Sequence, residues 1–245
     1  MPNWVKNVVN IDGPNDDIDK ALALMRDEDG KNINFNHIIP RPKRLNITSG
    51  GYDKQYVAAY LRDLSEFQKR YLTARLSERI LDFYGDYYRK YMDSFTMNIT
   101  DTDIENLRDI LDRDYKDFMP CSVEDIGKIY IDNILDYGDD TWYEWSCRNW
   151  GTKWNACECK IGDDYLEFET AWSAPHPVIT KLSQRFPGLT FDHEWADENI
   201  GHNCGKRTYK NGDMISDMVF ESEGDARRFA CDIWGYDPDE MEEED

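Results

Sequence analysis

Apolar residues alternate with polar ones at both ends of this 245-residue chain and recur at helical spacing through its middle, and that change of period sets the fold class. At the start, Trp4, Val5, Val8, Val9 and Ile11 mix with polar positions and stop at Asp12-Gly13-Pro14, which predicts a strand ended by a turn. Asp16 or Asp17 can cap the next segment, where Ile18, Ala21, Leu22 and Met25 follow a helical stripe that Gly30 closes. Ile33 to Ile39, ended by Pro40 and Pro42, predicts a second strand. This opening therefore reads β-α-β.

From Tyr52 to about Trp145 the signal is helical throughout. Tyr56, Ala59, Tyr60, Leu64, Phe67 and Tyr71 form one stripe, and Leu76, Ile80, Phe83 and Tyr84 another. Asp101 or Thr102 caps the run Ile104, Leu107, Ile110 and Leu111, and Ser122 with Asp125 resembles a capping box before Ile126, Ile129, Tyr130 and Ile134. After Gly151 the period returns to two. Lys153 to Ile161 and Tyr165 to Trp172 flank Gly162-Asp163-Asp164 as a hairpin. A helix opens at Pro177 and stops at Pro187-Gly188, and Leu189, Phe191, His193 and Trp195 alternate as a strand. Asn211-Gly212 turns the chain into Met214 to Phe220, and Ser222 caps a last helix.

These pieces predict an α+β fold, a ferredoxin-like antiparallel sheet with helices on one face, interrupted by a helical insertion. The expected boundaries are 1–45 and 149–221 for the discontinuous sheet domain, 46–148 for the insertion, 222–236 for a C-terminal helix and 237–245 for an acidic tail.

The chain carries 50 acidic and 29 basic residues, a formal charge of −21. Such a field repels phosphate backbones and attracts basic partners, which disfavours direct nucleic-acid binding. Between residues 101 and 145 the imbalance is concentrated, with fourteen acids against four bases. Neither a signal peptide nor a membrane span is read from the hydropathy. The six cysteines, Cys121, Cys147, Cys157, Cys159, Cys204 and Cys231, are scattered as expected of reduced thiols in a bacterial host cytoplasm.

Several fragments resemble the YubB-type ferredoxin-like family of phages and conjugative plasmids: Met1-Pro2-Asn3-Trp4, Phe35-Asn36-His37-Ile38-Ile39-Pro40, Asn149-Trp150-Gly151-Thr152-Lys153-Trp154-Asn155-Ala156, and Thr170-Ala171-Trp172-Ser173-Ala174-Pro175 with Pro177-Val178-Ile179. The resemblance spans roughly residues 1–45 and 149–215. It implies a ferredoxin-like fold and a mobile-element origin, and it implies no catalytic residues.

Three kinds of chemistry are open to such a chain. The first is partner binding by the acidic insertion, through Asp109, Asp112, Asp117, Glu124, Asp125, Asp139 and Asp140, because carboxylates spaced along helices can imitate a phosphate row. With the resemblance, this predicts an inhibitor of a host defence or DNA-processing protein of the anti-CRISPR or anti-restriction type, whose partner is a basic, nucleic-acid-binding host protein. Charge neutralisation within the insertion would remove the basis of that reading.

The second is a metal- or thiol-dependent enzyme using Cys157, Cys159, His193 and Cys204. In an unbroken strand Cys157, Cys159 and Ile161 share a face. Same-face neighbours lie about 6.7 Å apart, whereas a tetrahedral zinc holds its sulfurs about 3.8 Å apart. Ordinary buried thiols and a core histidine are therefore the preferred reading, with no metal, cofactor or catalytic residue expected. Ser173 beside His176 lacks the geometry of a nucleophile and its base. The third is a single-strand nucleic-acid binder using Trp150, Lys153 and Trp154. Against it, Trp142, Trp145, Trp150 and Trp154 are expected to pack the insertion onto the sheet.

Overall fold

The computed structural model describes residues 2–80, 92–114, 122–218, 220 and 222–237. They fall into two compact units, Met1–Arg41 with Ser146–Asp245, and Pro42–Trp145. In chain order the elements are β1 (Trp4–Asp12), α1 (Asn15–Met25), α2 (Asp53–Arg62), α3 (Glu66–Ile80), α4 (Asp101–Asp114), α5 (Val123–Tyr137) and α6 (Trp142–Asn149). They continue with β2 (Cys157–Ile161), β3 (Tyr165–Ala171), α7 (His176–Arg185), β4 (Thr190–Asp197), β5 (Gly205–Lys210), β6 (Asp213–Met218) and α8 (Glu223–Trp234).

The first unit is a six-stranded sheet in the order β2-β3-β1-β4-β5-β6, with every neighbouring pair antiparallel. β1, α1, β2, β3, α7 and β4 make the ferredoxin-like repeat, and the β5–β6 hairpin widens the sheet beyond β4. The alternation of β1 sends Val5, Asn7, Val9 and Ile11 to one face, where all four are buried. Register places Thr170, Phe168 and Leu166 beside them on β3, and Trp195, His193 and Phe191 on β4. α7 covers this face through His176, whose ring meets those of His193 and Trp195. α8 lies on the opposite face, where Lys6 sits over Trp234 and the Trp234 indole donates to the carbonyls of Ala196 and Asp197.

Two local expectations fail, for identifiable reasons. Ile33 to Ile39 does not form a strand; it contributes one isolated bridge, Arg26 with Ile33, and a 3-10 turn at Phe35–His37. Side chains take the backbone donors that a ladder would use. Asn155 Oδ1 accepts from Phe35 N–H at 2.8 Å, and Asn34 Oδ1 from Asn36 N–H at 3.1 Å. Phe35 instead turns into the core, edge-on to Trp150 and Phe168, each 5.9 Å between ring centres. The second strand of the repeat is thus β2, which follows the helical unit.

β2 is itself broken by a bulge, with Cys157 opposite Glu169 but Lys160 opposite Glu167, and Glu158 at φ 46°. Cys157 and Lys160 therefore share one face and Cys159 and Ile161 the other, against the expectation that both thiols point the same way.

In the second unit α2 and α5 cross about a common apolar cluster that includes Tyr56, Val57, Ile126, Tyr130 and Ile134. Ser122 and Asp125 form the expected capping box at the start of α5. Asn133, fully buried on α5, accepts from Arg44 Nε at 2.7 Å and donates to the Asp140 carbonyl at 2.7 Å. Phe83 and Tyr84, predicted to continue the helical stripe, lie outside the described residues.

The crossing depends on Gly127. A Cβ there would stand 2.0 Å from the Tyr56 carbonyl oxygen, so the two backbones meet with no room for a side chain. Gly127→Ala is expected to destabilise the helical unit by about 3 kcal/mol through overpacking. Urea denaturation followed by circular dichroism measures this, and an unchanged midpoint would show that the helices separate freely.

Candidate functional site

The buried face of the sheet carries two hydrogen-bonded polar groups, one on each side of the His193–His176 ring contact. Asn7 Nδ2 donates to Thr170 Oγ1 at 2.9 Å and to the Val5 carbonyl at 2.8 Å. Its Oδ1 is left to accept from His193 Nε2 at 3.0 Å, which assigns the His193 proton to that nitrogen. His193 Nδ1 is buried with no hydrogen-bond partner among the described residues. Burial holds the His193 pKa well below the usual imidazole range, and the neighbouring His176 and Arg207 push it the same way.

Beyond the ring contact with His193 lie His176, Tyr209, Arg207 and Asp217. Arg207 donates from Nε and Nη2 to the two Asp217 carboxylate oxygens at 3.0 and 3.3 Å. Its guanidinium lies 5.3 Å from the Trp195 ring centre. Gly205 makes that stacking possible, since a Cβ on it would come 2.6 Å from the indole. The Tyr209 hydroxyl, two residues along β5 from Arg207, is hydrogen-bonded to His176 Nδ1 at 3.0 Å. His176 is brought down to about 4, chiefly by burial and then by Arg207, so it is neutral near pH 7.

These groups border a cleft of about 530 Å³ between α7 and the β5–β6 hairpin. His176, Lys181, Gln184, Arg207 and Tyr209 line it together with apolar Ile39, Pro177 and Met214, and no carboxylate is among the lining residues. The site offers fixed donors and two cations. It offers little acid–base chemistry near neutrality, since burial raises the Tyr209 hydroxyl; away from the cleft, burial also raises the thiols of Cys159 and Cys204 and carries Cys157 to about 11.

The residues singled out in the sequence are distributed differently. Of the seven acidic positions, Asp109 and Asp112 are exposed on α4 and Glu124 is half-buried on the first turn of α5. Asp125 is held in the capping box. Asp139 and Asp140 are buried, 5% and 2% exposed, and present no carboxylate surface. Asp117 lies outside the described residues. Elsewhere in the acidic segment, Asp101 pairs with Arg62 at 2.9 Å, Asp132 with Lys128, Asp136 with Arg44, and Asp103 caps Thr100. Local partners thus absorb much of the segment's charge, leaving Glu105, Asp109 and Asp112 as one exposed stripe.

The cysteines do not converge. Cys157 Sγ donates to the Glu169 carbonyl, Cys159 Sγ accepts from Ile33 N–H at 3.4 Å on the other face, and Cys204 Sγ donates to the Ala226 carbonyl. Among the described residues no group of three His, Cys, Asp or Glu side chains is placed to hold a metal. Ser173 Oγ donates to the Gly151 carbonyl and not to His176.

The tryptophans separate into two roles. Trp150 is buried and donates to the Ile39 carbonyl at 2.9 Å. Trp154 and Trp172 are 37% and 40% exposed, and Lys153 Nζ lies between them, 4.5 and 4.6 Å from their ring centres. Sequence reasoning missed Trp172 here, and it missed Lys181, Arg207 and Tyr209 in the cleft, because only the packing of α7 on the sheet and the pairing of the strands bring them to their neighbours. The alternation of Arg207 and Tyr209 just before the Asn211-Gly212 turn was the available signal.

Strand order and helix placement define a ferredoxin-like α+β protein with an extended sheet edge. Residues 149–243 match the family described as "Ferredoxin-like domain in Api92-like protein". A crystal structure of the protein api92 from Yersinia pseudotuberculosis is 12% identical, covering 91% of this chain and 99% of that one, with a TM-score of 0.44. No curated protein matches the chain. Among the described residues no helix is long and apolar enough to cross a membrane.

The neutral histidines fix a pH dependence. Because both are held below their unfolded pKa, the unfolded chain binds more protons as the pH falls through about 6.5, and stability drops progressively toward pH 4. His176 alone is expected to account for about 3 kcal/mol across that window. Urea denaturation between pH 6.5 and 5, above most carboxylate titration, should show the loss, and His176→Phe should flatten its slope. A wild-type profile flat over that range would mean the imidazoles are not held neutral.

Proposed function

We propose that the ferredoxin-like unit is a binding module and that its cleft holds a small organic anion, one carboxylate or phosphate group on an apolar or aromatic body. The supporting observation is the lining itself. In a chain of net charge −21, the cleft is lined by Arg207, Lys181 and the His176 ring and by no carboxylate among the described residues, with Asp217 paired to Arg207. Arg207 is held in place by Asp217 and Trp195, so little side-chain entropy is lost when it meets a ligand. Ile39, Pro177 and Met214 suit the apolar body, and the volume lies within the range of small-molecule sites. With His176 neutral and the Tyr209 hydroxyl raised, the groups that line the cleft favour binding over turnover.

Titration of isotope-labelled protein with phenyl phosphate tests this by amide shift mapping. Shifts are expected around α7, β5 and β6. The double substitution Lys181→Ala with Arg207→Gln should weaken binding at least tenfold, the scale of losing charge-assisted hydrogen bonds. Scattered shifts, or affinity unchanged in the double variant, would remove the reading.

A second reading keeps the partner expected from the acidic segment. The exposed stripe Glu105, Asp109 and Asp112 on α4 suits recognition of a basic, nucleic-acid-binding host protein, and the mobile-element setting implied by the YubB-type resemblance belongs with it. Reversing the three charges is expected to abolish co-purification of such a protein; undiminished capture rejects the stripe as the contact.

A further inference from the structure

Lys153, Trp154 and Trp172 form an aromatic slot already filled by a cation. The two indoles bracket the Lys153 ammonium at 4.5 and 4.6 Å, and Trp4 extends the wall, 6.0 Å from Trp154 between ring centres. Both bracketing rings remain more than a third exposed, so the slot opens to solvent. Trp172 is held at φ 73°, a left-handed conformation that costs a non-glycine residue on the order of 1–3 kcal/mol. Its backbone is fixed there by Trp172 N–H to the Asn3 carbonyl at 2.8 Å and by Asn203 Nδ2 to the Trp172 carbonyl at 3.0 Å.

The surroundings select the sign of the occupant. Glu169 faces the same side of the sheet as Trp4, by its pairing with Lys6, and Glu198 is tied to Trp4 through its backbone N–H. Burial chiefly raises the Glu169 pKa, and Glu158 and Glu198 add to that while Lys6 opposes it. An exposed aromatic pair beside Trp4, on the side of the sheet that carries Glu169, attracts a cation and disfavours the phosphates of a nucleic acid.

We propose that this slot is a recognition site for a quaternary or multiply methylated ammonium group, and that Lys153 is its built-in stand-in, displaced when the ligand enters. A methylated ammonium is less strongly hydrated than the Lys153 ammonium and loses less on entering the slot. The resident lysine lowers apparent affinity by the fraction of time it occupies the site.

Calorimetric titration of the intact chain with tetramethylammonium, Nε-trimethyl-lysine and phosphocholine tests the proposal, with tryptophan fluorescence as a second readout. Lys153→Ala is expected to tighten tetramethylammonium binding roughly tenfold by removing the competitor. Trp154→Ala in that background should abolish it, and circular dichroism should show the fold retained. Phosphocholine should bind more weakly than trimethyl-lysine, because the side of the sheet that carries Glu169 disfavours its phosphate; the reverse order would assign the site to a lipid headgroup and overturn the argument from charge. Lys153→Ala binding no tighter than wild type, or a Trp154-dependent complex with single-stranded oligonucleotide, would overturn the proposal itself.

Discussion

β1 is the constraint on which the sheet unit depends. It is drawn from the first residues of the chain, yet it lies between β3 and β4, which come from beyond residue 160. Neither half of the repeat can bury its apolar face without the other, because Val5, Val9 and Ile11 pack between Leu166 and Phe168 on one side and Phe191 on the other. The closure is non-local, and the loop that must be closed contains a second compact unit. Loop entropy grows slowly with length, so a long insertion is tolerated thermodynamically while folding of the sheet is slowed.

Asn7 makes this strand more than an apolar wedge. Placed between Thr170 and His193, it satisfies the first and fixes the tautomer of the second. That tautomer leaves Nδ1 bare in the core, a cost that a stability-optimised sheet would avoid by using an apolar residue. Across the His193–His176 ring contact, His176 with Tyr209, and Arg207 beside them, carry polar groups to the cleft at the edge of the sheet. Burial keeps the imidazoles neutral, so the positive charge at the cleft comes from Arg207 and Lys181.

Periodicity made much of the fold legible. β1, β3, β4 and the Asn211-Gly212 hairpin follow from alternation and turn chemistry, and α5 from its capping box. The segment Ile33 to Ile39 misled because its apolar residues serve a 3-10 turn held by Asn34 and Asn155, a side-chain contact across more than one hundred positions that no local pattern encodes. The β2 bulge was invisible for a similar reason, since a register shift belongs to a pair of strands and not to one. The acidic segment was legible as charge but not as surface. Asp139 and Asp140 are buried at the end of α5, and capping and ion pairs engage several of the others.

Arg41 Nη1 donates to Ser146 Oγ at 3.2 Å, joining the last residue before the helical unit to the first after it. The departing and returning chain are thus tied to each other within the sheet unit itself, by one side-chain hydrogen bond. The cleft and the tryptophan slot draw all their named residues from the sheet side of that bond, so what the two sites present is decided by the ferredoxin-like unit and not by the helical lobe.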